Sequence, residues 1–166
     1  MRLPALVVLS LLALVPAARA QTTCNVIVDV TDTDPKGTNV RDAPSGKAIA
    51  VLAQPTGADD WIEVHITGQS GDWYEIDGAK LIGDSVKSVF KGKGYLHKSV
   101  LGVSGLQNGT TIWTDPDIKS HVIDPDAAGD QPVTLLGCSG DFLKVRVKKG
   151  TGWTKGACTN QRTTCA

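Results

Sequence analysis

The chain has 166 residues, of which 17 are Lys or Arg and 17 are Asp or Glu, so it is formally neutral at pH 7. That balance gives no support to nucleic-acid binding, which calls for a basic excess. The length admits one domain or two small ones.

In chain order, the first element is a leader. Met1-Arg2, the apolar run Leu3 to Ala18 and the close Ala18-Arg19-Ala20 supply the charged start, hydrophobic middle and small-x-small cleavage site of a secretory signal over residues 1–20. We expect a mature chain from Gln21, exported to the periplasm or secreted. The run falls short of the roughly 20 apolar residues that a membrane span needs, so no span is expected in the mature protein. Gln21-Thr22-Thr23 before Cys24 is not the small-residue run of a lipoprotein signal. Loss of Arg2 and Arg19 leaves slightly more acidic than basic residues.

Beyond the leader, short alternating segments separated by Gly, Pro and Asp clusters predict an all-β barrel or sandwich. Turns are expected at Asp32-Thr33-Asp34-Pro35-Lys36-Gly37, Ala43-Pro44-Ser45-Gly46, Gly68-Gln69-Ser70-Gly71, and from Asp124-Pro125-Asp126 through Gly129-Asp130. Ile62, Val64 and Ile66 alternate with Glu63 and His65; Leu143, Val145 and Val147 alternate with Lys144, Arg146 and Lys148. Each run buries one face. The same parity turns Tyr74 and Ile76 inward and leaves Trp73 and Phe142 on the other face.

A stretch of the chain occurs twice. Val40-Arg41-Asp42-Ala43-Pro44 aligns with Ile112-Trp113-Thr114-Asp115-Pro116, Gly71-Asp72-Trp73-Tyr74-Glu75-Ile76 with Gly140-Asp141-Phe142-Leu143-Lys144-Val145, and Gly94-Tyr95-Leu96-His97-Lys98 with Gly152-Trp153-Thr154-Lys155-Gly156. Two small domains follow, 21–104 and 109–166, with the boundary in the Gly-rich segment Leu101 to Gly109. The first copy is longer between Asp77 and Lys93, where Ala79–Ile82 and Val86–Phe90 flank Gly83-Asp84 and predict an inserted hairpin. Barrels of about 60 residues are individually marginal, so extra stabilisation is expected. Cys24, Cys138, Cys158 and Cys165 form an even set in an exported chain and are read as structural disulfides. Three pairings are possible, and a bridge from Cys24 would tie the N-terminus to the second copy. Cys158 aligns with Val100, an inward position. The cysteine spacings and the scarcity of His do not suggest zinc, and no cofactor is expected.

Asn39-Val40-Arg41-Asp42-Ala43-Pro44-Ser45-Gly46, then Gly71-Asp72-Trp73-Tyr74-Glu75-Ile76, then Gly94-Tyr95-Leu96-His97-Lys98-Ser99-Val100-Leu101 resemble a bacterial SH3 domain. The first copy matches from about Cys24 to Leu101. The second, about Gly109 to Cys165, is a degenerate match in which Trp113 replaces Arg41. The resemblance implies an SH3-like β-barrel of five to six strands in each copy, and a binding module of the kind that engages cell-wall peptides or accompanies wall hydrolases. It also implies a ligand groove bordered by Arg41 and Asp42 in a variable loop, Trp73 at the start of a central strand, and Tyr95 and His97 near the last strand. Phe142 and Trp153 hold the matching places in the second copy, and Trp113 is expected as an exposed contact residue. Aromatics there combine large contact area with a low ordering cost, which suits peptide or sugar.

Catalysis finds little footing. His65, His97 and His121 lie in no motif with a nucleophile, and His65 reads as a solvated face residue. Neither Gly102-Val103-Ser104-Gly105 nor Gly137-Cys138-Ser139-Gly140 is a nucleophile elbow. Asp32 to Gly37 opens like a calcium loop, but Lys36 and Ala43 stand where oxygen ligands belong. Asn108-Gly109-Thr110 is a glycosylation sequon, and a turn is its plainer reading. The stripe Lys144, Arg146, Lys148, with Lys149 and Lys155, is read first as a solvated face. If functional, it favours an acidic protein patch or an anionic wall polymer. The expected function is an exported, non-enzymatic module that binds peptidoglycan peptide or glycan. The alternative is an adaptor or inhibitor that docks on an exported enzyme such as a wall hydrolase.

Overall fold

The computed structural model describes residues 21–127, 129 and 132–159; the expected leader, Asp130 and Cys165 lie outside them. The described chain is all-β, with one 3-10 turn over Lys98–Val100 and an SH3-like barrel architecture. Among the described residues no helix is long and apolar enough to cross a membrane.

Seven strands form the first sheet: β1 (Thr22–Val30), β2 (Thr38–Arg41), β3 (Ala48–Leu52), β4 (Trp61–Ser70), β5 (Trp73–Ile82), β6 (Lys87–His97) and β7 (Leu101–Gly102), in the spatial order β3-β2-β6-β5-β4-β1-β7. The short β8 (Gly105–Leu106) leads into the second repeat. There β9 (Ile112–Trp113), β10 (Val122–Asp124), β11 (Thr134–Ser139), β12 (Phe142–Val147) and β13 (Gly150–Thr154) order themselves β10-β9-β13-β12-β11, and β14 (Ala157–Cys158) pairs with β8.

Turn chemistry fixes these strands. Asp32 Oδ1 accepts from the Asp34 amide and Asp34 Oδ1 from the Lys36 amide, while the Gly37 N–H closes on Asp34 O at 2.8 Å with φ +84°. Short carboxylates compete for nearby amides in this way and nucleate turns. Asn108-Gly109 likewise centres a turn that the Thr110 amide closes on Gln107 O. The two Gly-Asp turns are equivalent: Ser70 faces Trp73 across Gly71-Asp72, Ser139 faces Phe142 across Gly140-Asp141, and both glycines have positive φ, 61° and 54°. Glycine at the first position of a two-residue hairpin is the II′ pattern. The expected break at Gly68 is absent, because β4 runs on to Ser70. Gly68 faces Thr23 of β1, and a Cβ there would meet Gln21 and Thr22, so its missing side chain serves close strand packing rather than a turn.

Inward parity is equivalent in the two copies. Val40, Tyr74, Ile76 and Leu96 are fully buried, as are their counterparts Ile112, Val145 and Thr154, with Leu143 almost so. A Cβ on Gly94 would strike Val40 Cγ1, and one on Gly152 would strike Ile112 Cγ2, so the same glycine-on-aliphatic contact closes both repeats. The insertion is a hairpin made by lengthening β5 and β6 beyond Gly78, with Ala79 opposite Phe90 and Leu81 opposite Lys87.

One apolar core runs through both repeats, from Val28, Ile62 and Ile66 to Val103, Leu106, Leu135 and Val145. Each fully buried aliphatic side chain contributes roughly 1.5–3 kcal/mol, so pooling the cores offsets the marginality of each small barrel. The segment expected as a boundary takes part: β7 pairs with β1, and β8 pairs with β14. A second junction lies where the β1–β4 register slips between Thr23 and Val26. The extra residues of this bulge turn toward the second repeat. Asn25 N–H donates to Gly140 O and Gly140 N–H to Thr23 O, both at 2.8 Å, and Cys24 forms a disulfide with Cys138. This bond selects among the three pairings. Cys158 is buried and also disulfide-bonded.

Candidate functional site

The first groove forms where β2, β5 and β6 meet at the Gly71-Asp72 turn. Trp73 opens β5 and pairs with His97, the last residue of β6, their rings edge to face at 5.1 Å. The Arg41 guanidinium sits 5.9 Å from the Trp73 ring centroid, while its Nη1 donates to Gly46 O in the Ala43–Gly46 turn. That turn also orders Asp42, whose Oδ1 accepts from the Lys47 amide. His97 caps the 3-10 turn. Its Nδ1 receives the Ser99 N–H, which makes Nδ1 the acceptor and places the ring proton on Nε2 in the neutral tautomer. Arg41, Trp73 and His97 are all part-exposed, so cation, indole face and imidazole edge are offered together.

Tyr95 lies beside Arg41 in the β2–β6 pairing but is nearly buried, its hydroxyl donating to Glu75 Oε2 at 2.9 Å. It supports the groove floor. Burial would raise the Glu75 carboxyl, yet hydrogen bonds from Lys93, Gln21 and Tyr95, with the Lys93 charge, hold it below its ordinary value. Lys93, bridged to Glu75 at 2.7 Å and 5.5 Å from the Tyr95 ring centroid, is shifted upward in return, first by the Glu75 hydrogen bond.

The second groove repeats the plan with other residues. Trp113 takes the place of Arg41 and pairs with Trp153 as Arg41 pairs with Tyr95. Trp113 and Phe142 meet edge to face at 6.0 Å. Lys155, aligned with His97, holds its ammonium 4.7 Å from the Phe142 centroid and reaches Asp141 at 3.4 Å. The cation thus comes from the first strand of the groove in one copy and from the residue after the last strand in the other. Phe142 does lie on the outer face of β12, but it is only 8% exposed. Contact with Trp113 and Lys155 covers it, so Trp113 and Trp153 carry the accessible aromatic surface of this copy.

A polar chain runs from β5 through the junction to the Gly140-Asp141 turn of the second groove, and no sequence motif signals it. His65 Nδ1 faces Asp77 Oδ1 at 2.9 Å, its Nε2 faces Asn25 Oδ1 at 3.0 Å, and Asn25 Nδ2 donates to Asp141 Oδ1. His65 is therefore a bridging residue rather than a merely solvated one. The Asn25 hydrogen bond, followed by Lys155, keeps the Asp141 carboxyl below its ordinary value. Elsewhere, a cleft of about 560 Å3 is walled by Asp29, Asp32, Gln54, Asp60 and Trp61, and another of about 610 Å3 by Ile27, His65, Asp77, Val86 and Phe90. Among the described residues no cluster of His, Cys, Asp or Glu has the arrangement of a metal site.

No family model matches the chain, and no curated protein is similar to it. Two solved structures are similar in part. NlpC1 from Trichomonas vaginalis has a TM-score of 0.34 and 15% identity over 90% of this chain and 50% of that one. NlpC2 from the same organism has a TM-score of 0.31 and 17% identity over 84% of this chain and 48% of that one. The chain spans about half the length of each.

Proposed function

We propose that this protein is an exported, non-enzymatic binding module whose first groove, built on Arg41, Trp73 and His97, recognises cell-wall peptidoglycan peptide or glycan. The observation that carries the reading is the recurrence of a cation and an aromatic contact at the Gly-Asp turn of both repeats, made by different residues. Core packing alone does not ask for a charged group against a part-exposed indole, whereas a ligand with a carboxylate beside an apolar or sugar face does. The buried disulfide suits a compartment where thiols oxidise. The resemblance of the Asn39–Gly46, Gly71–Ile76 and Gly94–Leu101 segments to bacterial SH3 domains points the same way.

Co-sedimentation of the oxidised protein with purified wall sacculi tests this. Retention that falls at least about tenfold in Trp73→Ala and in Arg41→Ala, the loss of one aromatic anchor, is the expected result. No retention of the wild type, or equal retention of both variants, overturns it.

A further inference from the structure

The outer rows of the two central strands align residue for residue, and their charges are inverted. Trp73, Glu75 and Asp77 of β5 correspond to Phe142, Lys144 and Arg146 of β12. In the first repeat both carboxylates are engaged, Glu75 by Lys93, Gln21 and Tyr95, and Asp77 by His65. The second repeat has no matching acids. Lys149 and Lys155 have carboxylate partners in Asp124 and Asp141, but among the described residues Lys144, Arg146 and Lys148 enter no ion pair.

These cations lie beside an aromatic rank. Lys144 is opposite Trp153 in the β12–β13 ladder, and Trp153 is opposite Trp113 in the next. The Lys144 ammonium lies 5.4 Å from the Trp153 centroid. Same-face residues along a strand are roughly 6.7 Å apart and neighbouring strands about 4.8 Å apart. Lys144 and Arg146 therefore stand roughly 6.7 Å apart on one face of β12, Lys148 follows in the turn after Val147, and two part-exposed indoles flank them. The first groove is a pocket at a turn; this is an open, linear surface.

We propose that the outer face of the second repeat binds an acidic polysaccharide, a chain of sugar rings bearing carboxylate or phosphate groups. Indole faces pack against the apolar faces of sugar rings, and the cations of β12 and its turn meet anions that recur along a polymer. An acidic protein patch would use the charges but leave the indoles without a role. A nucleic acid would meet a protein with no net positive charge. The inference stands apart from wall recognition by the first groove, because it concerns a different repeat and a different ligand.

Equilibrium binding of polygalacturonate to the oxidised protein tests it, with dextran, poly-glutamate and a single-stranded oligonucleotide as comparison polymers. Expected are binding that weakens with added salt, no binding of dextran, and weaker binding of poly-glutamate and oligonucleotide. Lys144→Glu/Arg146→Glu, which installs the charge pattern of the first repeat, should weaken binding about tenfold or more. Lys144→Gln/Arg146→Gln should show a smaller loss and keeps the test valid if charge reversal harms folding. Lys87→Gln/Lys91→Gln, which removes two exposed cations of the inserted hairpin away from both grooves, should bind polygalacturonate as the wild type does. Absence of polygalacturonate binding at low salt, indifference to both double variants, or equal or tighter binding of poly-glutamate or oligonucleotide overturns the proposal.

Discussion

Removing the Cys24–Cys138 bridge by the double substitution Cys24→Ala/Cys138→Ala measures how far the two repeats depend on each other. The bond joins positions 114 residues apart, and the chain-entropy relation for a loop of that size gives about 4.8 kcal/mol at 25 °C. Both cysteines are buried, at 4% and 2% exposure, so loss of their sulfurs also removes a little packing. Against that, the β1–β4 ladder and the Asn25–Gly140 hydrogen bonds persist in the variant, so a loss of about 3–5 kcal/mol is expected. The assay is equilibrium urea unfolding of the oxidised proteins, followed by tryptophan fluorescence. Because the freed unfolded chain exposes more surface, the urea dependence should steepen as the midpoint falls. A loss below about 1 kcal/mol with unchanged steepness would refute the reasoning, as would non-reducing peptide mapping that finds Cys24 bonded elsewhere. The shared core further requires one cooperative transition in the wild type.

Tyr74 offers a sharper local test: its hydroxyl is fully buried without a hydrogen-bond partner, and burial raises its pKa first, with Asp72 adding to the effect. Tyr74→Phe should therefore be neutral or stabilising by up to ~1 kcal/mol in the same urea assay, and a loss above that would reveal a partner for the hydroxyl. Gly152→Ala should destabilise by about 1–3 kcal/mol through overpacking and more than Gly94→Ala, since its Cβ would also meet the rigid Trp113 carbonyl at 2.6 Å; the reverse order would count against equivalent closure of the two copies. Glu75 and Asp124 are held below their ordinary pKa values, Asp124 first by Lys149. Groups depressed on folding stabilise above their unfolded pKa, and that stability is lost as pH falls through the folded value. The urea midpoint should fall below about pH 4.5, and Glu75→Gln should flatten that acid limb. An unchanged limb would mean that Lys93 and Tyr95 do not bind the carboxylate preferentially.

Local signals were legible and non-local ones were not. Alternation identified Ile62, Val64 and Ile66 as core, the Gly-Asp dipeptides marked equivalent turns, and the alignment put Trp113 in the place of Arg41 and Lys155 in that of His97. Parity placed Phe142 on the outer face but not its cover, because parity says nothing of what a neighbouring strand lays over a side chain. Gly68 looked like a turn since glycine serves both turns and close approaches, and only the presence of β1 decides which. The partners of Glu75, the bridge through His65 and Asn25, and the choice of Cys138 for Cys24 all depend on which strands become neighbours. That information is spread over the whole chain. The basic stripe was visible, yet that Lys149 and Lys155 have acid partners while Lys144, Arg146 and Lys148 enter no ion pair among the described residues emerges only in space.

The bulge at Cys24 and Asn25 ties the start of the described chain to its far half. β1 is the first strand of the described chain, but its bulge is completed only by Gly140, Asp141 and Cys138. Two beads on a string share no such contact; here β1 pairs with β4 along its length, and only its bulge depends on the β11–β12 hairpin. Contacts of such sequence separation slow folding, and meanwhile the unfinished first half exposes Cys24 as a thiol. A half-length fragment ending near Ser104 would hold that thiol permanently and leave Val103 without its bridge partner Val133. The repeated sequence reads as two units, while one core and one disulfide run across both.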